Sequence, residues 1–371
     1  MTRGPRSTRN TEVGAGRLID GVHVTVVHTD GRKRFTQFAP RMANLLQEHT
    51  GDALFRLESD TIGVADPELL DALLRARPAN AEERPTFKPV RGRTVPRSDA
   101  STYMQAVGAD VRTALKKPVD DTVDLTGIWP KVPHDYLHRL VFGDMQLRFR
   151  TLVDRRLELT PKLTWSAVTA GAALLGKPRK DTSMSSLANL VLSAESYDDR
   201  RYAMYLYRRV AAPVCFTVAA LVTNAVWLGA PFREDVSNRE IIWESLRLLP
   251  VSWNILRMAS PEFGAVDRRI GDGDDVLLLP ILSHRDPKLW DDPNEFIPER
   301  WRELDPESHP GYLPFGHSDE RCWGRHMVLP LAERLLDVVR RDGLTVSPEQ
   351  TVGRVELDGL LEIARVRVTR A

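Results

Sequence analysis

A lone cysteine set among glycines limits what this chain can become more than any other stretch does. It lies in Pro314-Phe315-Gly316-His317-Ser318-Asp319-Glu320-Arg321-Cys322-Trp323-Gly324, just ahead of the apolar run that begins at Met327. A thiolate that binds a metal from a loop needs backbone amides turned toward its sulfur and room for its partner. Glycines on both sides, Gly316 and Gly324, supply both. One cysteine cannot close a structural zinc site, which takes a full tetrahedral set of ligands. It can be the sole protein ligand of a haem iron, whose porphyrin fills the equatorial positions. The plainer alternative is an ordinary buried cysteine before a helix.

Composition narrows the setting. At 371 residues the chain is long enough for one large core or two domains. Its 42% hydrophobic and 28% charged content is that of an ordinary globular protein. A net charge of +1 gives no electrostatic reason to expect a nucleic acid or an anionic membrane as partner. Two cysteines, Cys215 and Cys322, are too few for a disulfide framework and point to a reducing, cytoplasmic setting. Met1 to Arg17 is polar and lacks the apolar core of a signal peptide. The longest apolar stretch, Val210 to Ala230, is interrupted by Pro213, Thr217, Thr223 and Asn224, and reads as a buried helix, not a membrane span. A soluble, cytoplasmic protein is expected, with residues 1–18 a disordered tail.

Periodicity marks a series of helices and a few short strands along the chain. Val22 to Val27 alternates weakly as a strand, Arg41 to His49 and Pro67 to Leu74 read as short amphipathic helices, and Thr61 to Val64 lies between them as a strand. Asp66-Pro67 is a helix-start signal. Arg77 to Ala100, rich in Pro and Arg, reads as a loop. Ser101 to Lys117 and Pro133 to Phe142 read as helices. Residues 145–209 are helical in pattern, with breaks near Pro161, Lys177-Pro178 and Tyr197-Asp198, and Leu187 to Leu192 is apolar enough to be inside. Val210 to Ala230 follows as the long central helix. Glu240 to Leu249 and Met327 to Val339 are further helices, the latter ended by Gly343. Val355 to Val368 alternates as two strands around Asp358-Gly359, a hairpin signal.

Motifs in the last third resemble those of the cytochrome P450 family. Phe315, Cys322 and Gly324 match its cysteine loop, although Ser318 stands at its central glycine and Glu320 at its usual basic position. Glu244-Ser245-Leu246-Arg247 matches its Glu-x-x-Arg helix, and Pro298-Glu299-Arg300-Trp301 the downstream arginine motif. Between them lie His284-Arg285-Asp286-Pro287 and Trp290-Asp291-Asp292-Pro293-Asn294-Glu295-Phe296, both similar to family signatures. Val123-Asp124-Leu125 resembles a shorter one. The resemblance is specific from about Arg239 onward and general, in the order of elements, before it.

The resemblance implies a mainly α, cytochrome P450-like haem-thiolate fold with a small β lobe, residues 19–371 forming a single domain around haem b, with Cys322 as metal ligand and Glu244, Arg247 and Arg300 as a structural cluster beneath its loop. It implies cofactor contacts from Ala212, Arg257, Phe315, Gly316, Arg321 and Gly324. Arg97, with Arg91 and Arg93, would replace the propionate-gripping helix that the sequence does not reveal, since arginine forks bind carboxylates. Family members carry an acid and an alcohol on the central helix. The best register here, Ala211-Ala212-Pro213-Val214-Cys215, puts Val214 and Cys215 at those catalytic positions, and Thr217 too far along. The expectation is a haem-thiolate oxidoreductase acting on a small organic molecule in specialised metabolism. Its reaction would be hydroxylation, or a coupling, cyclisation or rearrangement that needs no ordinary proton relay. A ferredoxin-type donor or peroxide would drive it. The alternative is a degenerate haem or ligand binder serving another enzyme. Leu360 and Leu361 are candidate substrate contacts by the same resemblance, and core residues by their pattern.

Overall fold

The computed structural model describes residues 24–27, 33–76, 95–142, 196–257, 261–316, 321–357 and 360–371. The proposed tail at 1–18, Arg91, Arg93, most of the Arg-Pro loop, the breaks at Pro161 and Pro178, the Leu187–Leu192 segment, Ser318, Glu320 and Asp358-Gly359 lie outside the described residues.

The chain opens with β1 (Val24–Val27), β2 (Lys33–Gln37), α1 (Pro40–His49), β3 (Leu54–Glu58), β4 (Thr61–Val64) and α2 (Pro67–Arg75). Asp66 caps α2 by accepting from the Leu69 amide at 2.8 Å, and Pro67 takes the first-turn position where a missing N–H does no harm. Next come α3 (Arg97–Leu115), β5 (Gly127–Trp129) and α4 (Lys131–Phe142), then α5 (Tyr197–Gly229) and α6 (Asn238–Leu248). The order continues with β6 (Ile255–Arg257), β7 (Asp275–Leu278) and α7 (Arg325–Arg341). Strands β8 (Leu344–Val346), β9 (Val352–Glu356), β10 (Glu362–Ile363) and β11 (Val366–Arg370) close the chain.

The strands form three small sheets among the described residues, ordered β1-β2-β9-β10, β5-β11-β8 and β3-β4-β7-β6. The helices carry the main core, as expected for a mainly α fold. The C-terminal strands differ from the expected single hairpin. β9 and β10 do pair, Val355 opposite Ile363, but β11 leaves that sheet to pair with β5 and β8. Alternation identifies a strand and its buried face, not its neighbour.

α5 is the axis of the core. It starts at Tyr197, not Val210, because Ser196 accepts from the Asp199 amide at 3.0 Å and caps it. What reads as a break at Tyr197-Asp198 is therefore a helix start. α3, α4, α6 and α7 pack around it, and Val218, Ala220, Leu221, Val226 and Trp227 have no more than a trace of exposure. Its buried Thr223 and Asn224 are satisfied internally. Asn224 donates to the Leu361 carbonyl at 3.0 Å and accepts from the Ile363 amide at 2.9 Å, tying the helix to β10. Buried Arg34 on β2 donates to the carbonyls of Trp227 at 2.9 Å and Ala230 at 2.6 Å. That places a cation on the orphan carbonyls of the helix C-terminus. Arg209–Gly229 is long and apolar enough to cross a membrane, and it is mostly buried inside this fold.

Candidate functional site

The floor of the site is built from α6 and the chain after β7. Glu244 and Arg247, one turn apart on α6, have fully buried side chains. They form a bidentate pair, Arg247 Nη2 to Glu244 Oε1 at 2.7 Å and Nε to Oε2 at 3.0 Å. Arg300 Nε joins Oε1 at 3.2 Å, so the three residues expected to cluster do so. Two further donors join it: the Trp301 indole, from the same motif as Arg300, donates to Oε2 at 3.0 Å, and the Ile297 amide, which no side-chain pattern marks, donates to Oε1 at 3.0 Å. The remaining Arg247 protons reach the carbonyls of His284, Pro293 and Glu295 at 2.7–2.9 Å. A buried ion pair carries a large desolvation cost, and this one is offset by hydrogen bonds on nearly every available atom.

His284 connects that network to the cysteine loop. Its Nε2 accepts from the Leu313 amide at 2.8 Å, so Nδ1 bears the proton and donates to the Arg247 carbonyl at 3.2 Å. Burial first, and then the charge of Arg247, push its pKa down to about 3, so the ring is neutral. Tyr312 donates to the Trp243 carbonyl at 3.0 Å. Both residues ahead of Pro314 are thus pinned to α6 or to its network.

From this anchor the loop turns through Phe315 and Gly316, whose φ of +80° suits glycine. The Cys322 amide donates back to the Phe315 carbonyl at 2.7 Å. Cys322 is an exposed free thiol, and α7 begins three residues after it. A Cβ added at Gly324 would meet the Cys322 sulfur at 3.4 Å, so glycine here leaves that flank of the sulfur open.

The sulfur opens onto a cavity of about 380 Å³. One wall is the loop itself: Pro314, Phe315, Gly316, Cys322 and Gly324. Another is α5, through Arg209, Val210, Pro213, Val214 and Thr217. Arg257 on β6, Met104 on α3 and Leu360 also line it. Leu361, by contrast, is core, with no exposure.

The register expected for the central helix is corrected in part. Val214 lines the cavity, but Cys215 and Ala212 are buried and do not. Residues one turn apart share a face, so 210, 213–214 and 217 look one way and 212 and 215 another. Burial drives the Cys215 thiol pKa far above its ordinary value, which leaves it a packing group and no proton donor. Thr217, too far along in the expected register, lies on the cavity face. Arg321 is also corrected. It does not line this cavity; it forms an ion pair with the Glu307 carboxylate and donates to the Glu307 carbonyl at 2.9 Å. Arg97 is the first residue of α3, in a segment expected to be loop, and its side chain lies outside the described residues. Arg209 escapes a reading of the sequence; its only signal there is a cation one turn before Pro213.

Comparison with known proteins gives the geometry a context. Residues 239–330 match the sequence model described as "Cytochrome P450". Cyclooctat-9-en-7-ol 5-monooxygenase of Streptomyces melanosporofaciens is 36% identical over 116 residues, 29% of this chain and 25% of that protein. Cyclooctatin synthase of the same organism is 34% identical over 88 residues, 23% of this chain and 19% of that protein. Sterol 14alpha-demethylase of Mycobacterium bovis is 31% identical over 105 residues, 28% of this chain and 23% of its own length. The match thus spans a quarter or less of these curated relatives. Likeness of fold reaches much further. A six-coordinated cytochrome P450 from Thermus thermophilus superposes with a TM-score of 0.55 at 19% identity, covering 91% of this chain and 99% of that one. A cytochrome P450 from the archaeon Picrophilus torridus gives 0.51 at 13% identity, covering 85% and 99%. With the Glu244–Arg247–Arg300 cluster and the cysteine loop at their expected places, residues 239–330 carry the cytochrome P450 sequence pattern, and the described chain has a cytochrome P450-like fold.

Proposed function

We propose that the protein is a haem-thiolate oxidoreductase in which Cys322 is the axial ligand. The observation that carries this is an exposed cysteine sulfur, unflanked by any Cβ at Gly324, opening onto an apolar cavity beneath α5. These residues fit haem b. Gly316 and Gly324 leave space for a flat group, Val210, Pro213 and Val214 give it an apolar surface, and Arg257 offers a cation to a propionate. Bound haem supplies oxidative chemistry, which thiolate ligation favours. The chain's own part is to hold the sulfur, exclude water and place the substrate. Val214 has no proton to give, and Cys215 lies outside the cavity. The Thr217 hydroxyl is therefore the polar group that α5 sets on this wall for moving a proton.

The reading extends to a small organic substrate, with an electron donor of ferredoxin type or peroxide as the co-reactant. Apolar lining supports such a substrate, and specialised-metabolite tailoring follows only by analogy with the two Streptomyces enzymes. A cytoplasmic site is in keeping with two unpaired cysteines. Haem-loaded protein should oxidise members of a hydrophobic substrate panel when given a reduced ferredoxin system or peroxide. Haem uptake without any turnover in either system would favour the binding-partner reading instead.

A further inference from the structure

The floor beneath the cysteine loop also holds a chain of aromatic rings that the proposed chemistry leaves unused. Trp243 on α6 lies 6.0 Å from Trp301, ring centre to ring centre, and Trp301 lies 4.5 Å from Tyr312 and 5.6 Å from Trp290. Trp290, Trp301 and Tyr312 are buried, whereas Trp243 is only partly so. Trp243 borders two surface crevices. It shares a small one with Phe315 and Gly316 of the cysteine loop, and it lines a larger one of about 480 Å³ with Ile242, Pro306, Leu329 and Pro330. Phe315 also lines the cavity onto which the Cys322 sulfur opens. One indole therefore adjoins both the loop and an open recess.

Indole rings give up one electron readily, and transfer between rings falls off steeply with their separation. The surroundings decide which ring can hold the charge that remains. Trp290 faces the guanidinium groups of Arg247 at 5.0 Å and Arg300 at 5.9 Å, which share the single carboxylate of Glu244. The net positive charge there opposes another on the Trp290 ring. Tyr312 would have to release its proton. Burial raises its pKa well above the ordinary value, and its hydroxyl donates to the Trp243 carbonyl, which takes no proton. An indole can lose an electron and keep its N–H. Trp301 and Trp243 are thus left as carriers, and Trp243 brings the pair to the surface.

We infer that Trp243 is a one-electron port, through which phenols bound in the larger crevice are oxidised at the expense of hydrogen peroxide. The inference rests on the haem-thiolate reading, since bound haem is what reduces the peroxide. Each hydrogen peroxide becomes two waters by taking up two electrons and two protons. Each electron leaves one phenol and passes through Trp243 toward the cysteine loop, while the hydroxyl proton of that phenol goes to solvent. Two phenols give two phenoxyl radicals per peroxide, and solvent returns the two protons. The crevice suits such a guest. Its volume lies in the range of small-molecule sites, and the indole offers a face for ring stacking. Its charged residues are of both signs, with Arg239 paired to Glu333 at 2.9 Å, so neither an anion nor a cation is favoured.

Electron paramagnetic resonance of haem-loaded protein treated with hydrogen peroxide tests it. Without a donor, the protein should give a tryptophanyl signal that narrows when ring-deuterated tryptophan is incorporated, and peptide mass spectrometry should find oxygen added at Trp243. Guaiacol, a phenol, should quench the signal and be oxidised. Trp243→Phe, which keeps a stacking surface without an oxidisable indole, should lose guaiacol oxidation. Trp243→Tyr, whose hydroxyl can release its proton to the crevice, should restore part of it. No tryptophanyl signal from the unaltered protein overturns the proposal. So does full guaiacol oxidation by Trp243→Phe, which would place that reaction in the cavity. Should Trp243→Phe lose haem, oxygen added at Trp243 of the unaltered protein decides, and its absence overturns the port. The reduced carbon monoxide spectrum of the same samples reports thiolate ligation separately. A thiolate band without a tryptophanyl signal removes the port alone, and the signal with a shorter-wavelength band removes the thiolate reading alone.

Discussion

The floor beneath the cysteine loop and the α5 wall across the cavity solve opposite problems. The floor is polar, buried and bound on nearly every atom: Glu244 takes hydrogen bonds from Arg247, Arg300, Trp301 and Ile297, and His284 passes the constraint to Leu313. The α5 wall offers the cavity aliphatic carbons, a proline, one hydroxyl and one cation. A network of buried charges tolerates little change, because removing one partner strands the others. An apolar wall can be resurfaced one side chain at a time for a modest cost. The contrast places the fixed part of the site under the sulfur and the variable part on the helix, where the proposed reading puts substrate and proton handling.

The largest expected effect belongs to the floor. Glu244→Ala should destabilise the protein by about 3–5 kcal/mol, since it leaves Arg247 buried without its carboxylate. Denaturant unfolding measures this, and a loss below about 1 kcal/mol would remove the distinction between the two regions.

His284→Ala comes next, at about 1–3 kcal/mol, because the Leu313 amide loses its acceptor. It also carries a pH signature. Burial and the Arg247 charge hold the folded pKa down to about 3. An unfolded histidine protonates near 6.5, so between these values the unfolded state binds the extra proton. The stability from this group is complete above about pH 6.5 and declines as pH falls toward 3. The gap between the unaltered protein and His284→Ala should therefore narrow on acidification. A gap that stays constant from pH 7 to about 4 would mean that the ring is not held neutral.

The smallest effect on stability belongs to α5. Thr217→Val should change unfolding free energy by no more than about 0.5 kcal/mol, because it swaps near-isosteric side chains at a cavity face. Under the proposed reading it should still lower product formation by at least about tenfold, within the range of general acid–base contributions. A variant with full turnover would take the proton-handling role away from this hydroxyl.

The same contrast governs what the sequence discloses. Glu244, Arg247 and Arg300 are legible because buried charges need partners at fixed spacing, and the motifs preserve it. The role of His284 is hidden, since its bonds run to the backbone at Arg247 and Leu313, which no pattern of side chains records. The α5 register is misread for a physical reason. A helix buried on every side has no polar face to set its phase, so small residues at Ala211 and Ala212 can be aligned while the cavity face runs through Val210, Pro213, Val214 and Thr217. The helix start at Tyr197 escapes detection because the Ser196 cap acts through one local hydrogen bond. The short strands at the C-terminus are visible in the sequence, but their division between two sheets depends on distant partners, β2 and β5.

The central claim is that Cys322 ligates haem as a thiolate, and the absorption spectrum of dithionite-reduced protein under carbon monoxide tests it most directly. The account predicts a Soret band red-shifted to the position of thiolate-ligated haem, and loss of that position in Cys322→Ser with the fold intact by circular dichroism. A band at the shorter wavelength of other haem proteins, or one that Cys322→Ser leaves unchanged, would contradict it.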